Sequence, residues 1–259
     1  EMGFKMMRKY HAEAGHPDRY RVISVEGAFH GRSLACISSG RQEKHTAGFG
    51  PLVDGFDQVA FGNMNEMRAA ITPETAGIVI EPVQGEGGIR PVDADYLKEL
   101  RAVADEFGIL LMYDEVQCGI GRTGKLYAHE WSGAAPDILA SAKGLGGGFP
   151  IGATLATEAV ADAMKAGSHG STFGGNPLAM AVGNAVVDVV LADGFMDNVT
   201  ARAEQLANGL DALVKKYPDI LAGHRGMGLM QGLQCQGENG ENGTLVGKLM
   251  AGGLLTVPA

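Results

Sequence analysis

Gly-Ile-Leu-Leu-Met-Tyr-Asp-Glu-Val-Gln, at residues 108–117, is the stretch that decides the fold of this chain. It is a short apolar run that follows a glycine and ends in a carboxylate, Asp114. Such a run is typical of a buried strand in a parallel sheet. Ligands of open α/β sheets bind at the carboxyl ends of the strands. We therefore expect Asp114 to lie at a ligand-binding edge.

A second short apolar run, Ile138 to Ala140, leads into Ser-Ala-Lys-Gly-Leu-Gly-Gly-Gly at residues 141–148. Its lysine, Lys143, is then presented near Asp114 from a neighbouring strand end. Pyridoxal phosphate catalysis uses such a pair, because a lysine amine bonds to the cofactor aldehyde and an acid keeps the pyridine nitrogen protonated. One aspartate and one lysine by themselves are more often exposed surface residues. The surrounding sequence distinguishes a cofactor site from two exposed surface residues.

Several ordered blocks carry a resemblance that covers most of the chain. These blocks are Ala-Phe-His-Gly-Arg at 28–32, Glu-Pro-Val-Gln-Gly-Glu-Gly-Gly at 81–88, Asp-Glu-Val-Gln at 114–117, Gly-Arg-Thr-Gly-Lys at 121–125, the Lys143 segment, and Gly-Ser-Thr-Phe-Gly-Gly-Asn-Pro at 170–177. Together they resemble the class III, fold type I, pyridoxal-phosphate aminotransferases. The bacterial members that act on N-acetylornithine are the most similar. Six blocks in one order are far more specific than a single glycine motif.

The resemblance implies an α/β fold with a mostly parallel central sheet, helices on both faces, and part of a small C-terminal α+β domain. It implies a large cofactor-binding domain at residues 1–195, and a connecting helix with an incomplete small domain at 196–259. Family members carry further sequence at both ends, including a phosphate-binding turn before the first helix. The chain is therefore expected to be a truncated form.

The resemblance also assigns cofactor contacts. Phe29 would stack on the pyridine ring. From their positions just after Asp114, Val116 would press on a ring face and Gln117 would reach the ring hydroxyl. If the chain stays extended past Asp114, Val116 points to the same side of the strand. Thr172 would bind the cofactor phosphate of the other subunit, which makes a homodimer with a shared active site.

Substrate contacts follow from the same resemblance. Arg32 suits a substrate carboxylate, because a guanidinium group binds a carboxylate through two hydrogen bonds. Ser171 would lie near the substrate. Glu86 would pair with an arginine of the C-terminal domain, for which Arg225 is the candidate, and would control its access to a substrate carboxylate. His30 receives no role, since a turn histidine is more often a local hydrogen-bond former.

Composition restricts the function further. The formal net charge of −9 argues against nucleic acid as a partner, because such binding depends on lysine and arginine. The three cysteines are far apart in the sequence, which indicates neither a disulfide framework nor a zinc site, and no other metal site is expected. Neither a signal peptide nor a membrane span is recognisable. These features favour a cytoplasmic enzyme.

Local patterns predict several elements. Asp93 and Gly108 bound a helix with one apolar face, and Asn176 with Pro177 opens another. Strands are expected at residues 21–25, 77–80, 151–156 and 229–233, and helices at 158–165 and 196–217. The glycine-rich segment 37–65 shows no clear periodicity.

The leading hypothesis is the transfer of the terminal amino group of N-acetylornithine to 2-oxoglutarate in arginine biosynthesis. Aminotransferases of ornithine, 4-aminobutyrate or succinyldiaminopimelate would share nearly all of these residues. A nucleotide-binding module on Gly144 to Gly148 is an alternative of another class, but the G-x-G-x-x-G spacing is absent. A truncated homologue without activity is a third alternative.

Overall fold

The computed structural model describes residues 1–237 and 242–258. A six-stranded sheet in the order β2-β1-β3-β6-β7-β8 lies at its centre, and two small two-stranded sheets, β4-β5 and β9-β10, flank it. The strands are β1 (Arg21–Val25), β2 (Phe56–Val59), β3 (Thr75–Ile80), β4 (Val83–Gln84), β5 (Arg90–Pro91), β6 (Leu110–Asp114), β7 (Ile138–Ser141), β8 (Ala153–Ala156), β9 (Leu221–Met227) and β10 (Met230–Cys235).

Helices connect the strands. They are α1 (Met2–Glu13), α2 (Leu34–Gly40), α3 (Glu43–Thr46), α4 (Met64–Ala70), α5 (Ala94–Phe107), α6 (Glu158–Ala161), α7 (Pro177–Val190), α8 (Phe195–Lys216) and α9 (Asn242–Ala251). Short 3-10 helices occur at Ala128–Trp131 and Lys143–Gly146.

The central sheet is mostly parallel. β2, β1, β3, β6 and β7 run in one direction, and only the edge strand β8 pairs in the antiparallel sense. The predicted α/β fold class is confirmed. Asp114 is the last residue of β6 and lies opposite Ala140 of β7, as expected from the two apolar runs. The carboxyl ends of the parallel strands therefore meet at one edge, where their loops surround Asp114.

Strand β6 shows why both faces of the sheet are buried. Its successive side chains point to opposite faces. Leu111 and Tyr113 pack in a core that includes residues of α5, whereas Leu110 and Met112 pack in a second core with residues of α1. A strand covered on both faces reads as a continuous apolar run, which is the pattern from which the strand was predicted.

Helix α5 forms as its boundary residues predict. The Asp93 side chain accepts hydrogen bonds from the backbone N–H groups of Asp95 and Tyr96. Gly108 ends the helix in the left-handed conformation, at φ 61°. The helix joins two parallel neighbours, β3 and β6, and so carries the chain back to the edge where each of them begins. This connection brings the ends of β3 and β6 side by side.

Some local expectations differ from the structure. Segment 37–65 contains the edge strand β2, whose four residues show no alternation because both ends are buried and the middle is half-buried. The helix expected at 158–165 ends at Ala161. The prediction that the chain stays extended beyond Asp114 was wrong, because the strand ends there and Val116 lies in a turn.

The C-terminal part contains α8 and the antiparallel hairpin of β9 and β10. Strand β10 was expected, but β9 was missed because its sequence, Leu-Ala-Gly-His-Arg-Gly-Met, has no period-2 apolar pattern. The division into domains at residue 195 stays a prediction. Within the described residues no single helix is long and apolar enough to cross a membrane, although α7 and α8, bent by 71°, pass that criterion as a pair.

Candidate active site

The candidate site lies where the parallel strands end. Lys143 follows β7 by two residues and opens a 3-10 helix with a positive φ of 44°. Asp114 ends the adjacent strand β6. The predicted presentation of an amine and a carboxylate from neighbouring strand ends is thus found in the structure. Lys143 is exposed, and Asp114 is buried.

Asp114 is held by two partners. One of its carboxylate oxygens, Oδ2, lies 2.8 Å from Nδ1 of His30, and the other, Oδ1, accepts a hydrogen bond from the backbone N–H of Val116 at 3.1 Å. The side chains of His30 and Asp114 are only 2% and 8% exposed. Burial opposes a charge on His30 and by itself would lower the pKa of the imidazole. The hydrogen bond to Asp114 and the negative charges of Asp114 and Glu81 outweigh burial, so the pKa is raised. A buried ion pair therefore lies at the end of β6.

Glu81 is a second buried carboxylate, placed directly after β3. It accepts hydrogen bonds from the backbone N–H of Phe29 at 2.9 Å and from that of Gly85 at 3.2 Å. Burial raises the pKa of Glu81 to about 7, against the opposing effects of His30 and the two N–H donors. Neither His30 nor Glu81 was assigned a role from the sequence. A carboxylate at a strand end was the signal that could have identified Glu81.

The loop after β1 carries Phe29 and Arg32 together. The Arg32 guanidinium lies 5.3 Å from the centroid of the Phe29 ring, in a cation–π arrangement. The ring also lies against His45, at 5.3 Å between ring centroids and nearly edge-on. Phe29 is half-buried and Arg32 is exposed, so an aromatic face and a positive charge lie at the same rim.

A cleft of about 370 Å³ brings Gln117 and Lys143 together. It is lined by Gln117, Gly119, Ile120, Arg122, Lys143, Gly144, Leu229, Met230 and Gln231. Gly85, in the loop after β3, packs closely against the Gln117 side chain: a Cβ atom added at Gly85 would lie only 1.6 Å from Oε1 of Gln117. The hairpin of β9 and β10 forms the opposite wall.

The turn after β6 is anchored by Glu115, which is fully buried. Its carboxylate accepts hydrogen bonds from the backbone N–H of Ala128 at 2.6 Å and from that of His129 at 2.9 Å, and it lies 2.8 Å from His129 Nδ1. These contacts hold the 3-10 helix at Ala128–Trp131 against the end of the strand. Because Gln117 and Val116 follow directly, Glu115 holds both of them at the site.

Arg225 contacts the loop that contains Glu86, but it bonds to the backbone of that loop and not to the Glu86 side chain. The Nε atom of Arg225 donates a hydrogen bond to the carbonyl oxygen of Gly88 at 2.5 Å. Within the described ranges, 1–237 and 242–258, Glu86 and Arg225 form no ion pair. Burial, together with the positive charge of Arg225, lowers the pKa of Arg90. Two guanidinium groups thus lie beside this loop.

Ser171 and Thr172 lie apart from the cleft. Both are exposed in the loop before α7, where the Ser171 hydroxyl accepts a hydrogen bond from the N–H of Gly174 at 3.2 Å. Neither residue lines the cleft around Lys143. Their assigned roles, like those of the other predicted site residues, stay predictions.

Comparison with known proteins covers the whole chain. The model of a family described as aminotransferase class-III matches residues 1–259. The acetylornithine aminotransferase of Mesorhizobium japonicum is 62% identical over 235 residues, which are 91% of this chain and 59% of that protein. The chain thus spans about three fifths of that relative's length.

Solved structures of two further proteins are similar. The ornithine aminotransferase of Toxoplasma gondii superimposes with a TM-score of 0.94 at 31% identity, over 99% of this chain and 62% of that one. An amine transaminase from an uncultivated Pseudomonas species, in its PLP-bound form, gives a TM-score of 0.91 at 31% identity, over 99% of this chain and 67% of that one. The fold of this chain is thus found within longer solved chains.

Proposed function

This chain belongs to the class III aminotransferases, and we propose from that premise that the protein transfers the terminal amino group of N-acetylornithine to 2-oxoglutarate with pyridoxal phosphate. The observation that carries the proposal is that the buried Asp114 and the exposed Lys143 stand at the ends of adjacent strands, in a chain 62% identical to an acetylornithine aminotransferase over 235 residues. The relative is longer than this chain, which matches 59% of it, so the substrates and partners are part of the proposal.

The residues present fit pyridoxal phosphate. Lys143 offers an exposed amine at a cleft of about 370 Å³, a size typical of small-molecule sites. The buried Asp114 offers a carboxylate that His30 already holds by a hydrogen bond of 2.8 Å. Pyridoxal phosphate, when bound, supplies an aldehyde carbon and an electron-withdrawing ring. Phe29, Val116 and Gln117 would hold its ring.

Each charged side chain then has a task. Asp114 would bind the ring nitrogen of the cofactor and keep that nitrogen protonated. Lys143 would hold the cofactor at rest, and its Nζ would remove a proton from the donor carbon and return one later in the transfer. Arg32 and Arg225 bind carboxylates of the substrates, and Glu86 masks one arginine while the amine donor is bound.

A homodimer with a shared site is part of the proposal. Thr172 would bind the phosphate of the partner's cofactor, and its loop is exposed in the single chain. Large apolar side chains beside that loop are exposed too, with Phe173 at 81% and Leu178 at 62%. In the proposed dimer the partner subunit would cover these side chains. We also propose a cytoplasmic location, where the three free cysteines stay reduced.

The test uses the visible absorption of the purified protein with pyridoxal phosphate, recorded before and after addition of N-acetylornithine. We expect a band from bound cofactor that bleaches with this donor. Lys143→Ala should lose the band and at least a thousandfold of turnover, because the covalent anchor and the proton carrier are one group. Lys98→Ala, at an exposed lysine of α5, is the matched control and should keep both.

Three results would contradict the proposal. Substantial turnover in Lys143→Ala would refute its catalytic role. A side-by-side assay of ornithine, 4-aminobutyrate and succinyldiaminopimelate as donors addresses the substrate, and a clear preference for one of these would replace N-acetylornithine. The absence of any band would favour an inactive homologue.

A further inference from the structure

Glu81 connects two loops of the candidate site. Its Oε1 accepts the N–H of Phe29, in the loop after β1, and its Oε2 accepts the N–H of Gly85, in the loop after β3. The side chain is 4% exposed, so water does not compete for these bonds. The first loop carries Arg32 and the second carries Glu86. One buried carboxylate therefore sets the spacing between the two loops.

The charged and titratable groups that face Glu81 come from four elements. His30, from the loop after β1, contributes a positive charge, and Asp114, at the end of β6, contributes a negative one. Arg90 of β5 and the buried thiol of Cys118 in the turn after β6 interact with the Glu81 charge as well. Glu81 in turn favours the positive charge of His30. Glu81, His30 and Asp114 thus form one buried charge cluster.

We infer that Glu81 is a positioning residue of the proposed transamination site: it joins the Phe29–Arg32 loop to the Gly85–Gly88 loop and, through its bond to Phe29, holds the adjacent His30 at Asp114. This inference rests on the proposed function. Glu81 makes its hydrogen bonds with two backbone N–H groups, one of them in the residue before His30, so it acts through these neighbours. Its removal would shift the rim that carries Arg32 and weaken the cation that holds Asp114.

The first test is hydrogen exchange of the Phe29 and Gly85 amides in the cofactor-free protein. Above the Glu81 pKa of about 7, where the carboxylate is ionised, Glu81→Ala should accelerate both amides about ten- to hundredfold, the range for a hydrogen bond to a charged acceptor. Glu81→Gln offers a single acceptor oxygen, so only one of the two amides should be accelerated. Glu26→Gln makes the same chemical change at an exposed glutamate of the same loop and should leave both rates unchanged.

The second test is the titration of the His30 imidazole by NMR. Glu81→Gln and Glu81→Ala should lower the pKa of His30, whereas Glu81→Asp should keep that pKa and still accelerate the loop amides. A residue with a merely structural role would not separate these two effects. In the Glu81 variants the KM for substrate should rise more than kcat falls, because the displaced loop carries Arg32, the proposed ligand of a substrate carboxylate.

Three results would overturn the inference. The first is unchanged exchange of both amides in Glu81→Ala. The second is a His30 pKa that moves no more in Glu81→Gln than in Glu26→Gln. The third needs no variant: exchange of the Phe29 and Gly85 amides in the unmodified protein as fast as that of exposed loop amides. Since none of these needs cofactor or substrate, a failure here leaves the transamination proposal intact, and a failure of transamination leaves these measurements valid.

Discussion

Breaking the ion pair of His30 and Asp114 is predicted to destabilise the protein far more than breaking another pair of equal length. His30 and Asp114 are 2.8 Å apart and almost fully buried, whereas His224 and Asp211 are also 2.8 Å apart but 16% and 55% exposed. Removal of one partner from a buried pair leaves an uncompensated charge and costs about 3–5 kcal/mol. An exposed pair contributes about 0.2–1 kcal/mol. We expect His30→Leu to follow the first value and His224→Leu the second.

Urea unfolding of single and double variants gives the interaction energies. The cycle of His30→Leu with Asp114→Asn isolates the buried pair, and that of His224→Leu with Asp211→Asn is the control. Since the pKa of His30 is raised above its ordinary 6.5, its contribution is complete below pH 6.5 and disappears as the pH rises through the raised pKa. The buried coupling should therefore be larger at pH 6 than at pH 9.

Equal interaction energies in the two cycles would refute this reasoning, because burial is the difference on which it depends. A buried coupling that grows between pH 6 and pH 9 would also refute it. In that case the imidazole would have to be neutral in the folded protein over the whole range.

Further predictions concern glycines and the cleft. Gly108→Ala should destabilise the protein by about 1–2 kcal/mol, because Gly108 has the left-handed φ of 61°. Gly209 lies within α8 with open space around it, so Gly209→Ala should stabilise the protein by about 0.5–1 kcal/mol. Thermal unfolding measures both changes. Gly85→Ala should raise the Kd for pyridoxal phosphate about tenfold, as for one lost hydrogen bond, because the new Cβ displaces Gln117. A fluorescence titration of the cofactor checks this, and an unchanged Kd would show that Gln117 does not contact it.

Local sequence was sufficient wherever one residue type has a strong local effect. The limits of α5 follow from a side-chain cap at one end and a left-handed glycine at the other, and α7 begins at the expected Asn-Pro pair. The buried strands β3 and β6 were recognisable because both of their faces are apolar. Strand β9 was not, since it is held by its pairing with β10 and has no pattern of its own.

The sequence by itself determined that a carboxylate, Asp114, and an amine, Lys143, stand at the ends of adjacent parallel strands, because short apolar runs define strands and parallel strands end at one edge. Tertiary structure alone decided what surrounds that carboxylate. His30 lies 84 positions away in the sequence, and Phe29 lies 52 positions from Glu81. Buried charges need partners, and in this chain the sheet order, rather than local sequence, decides which partners are within reach.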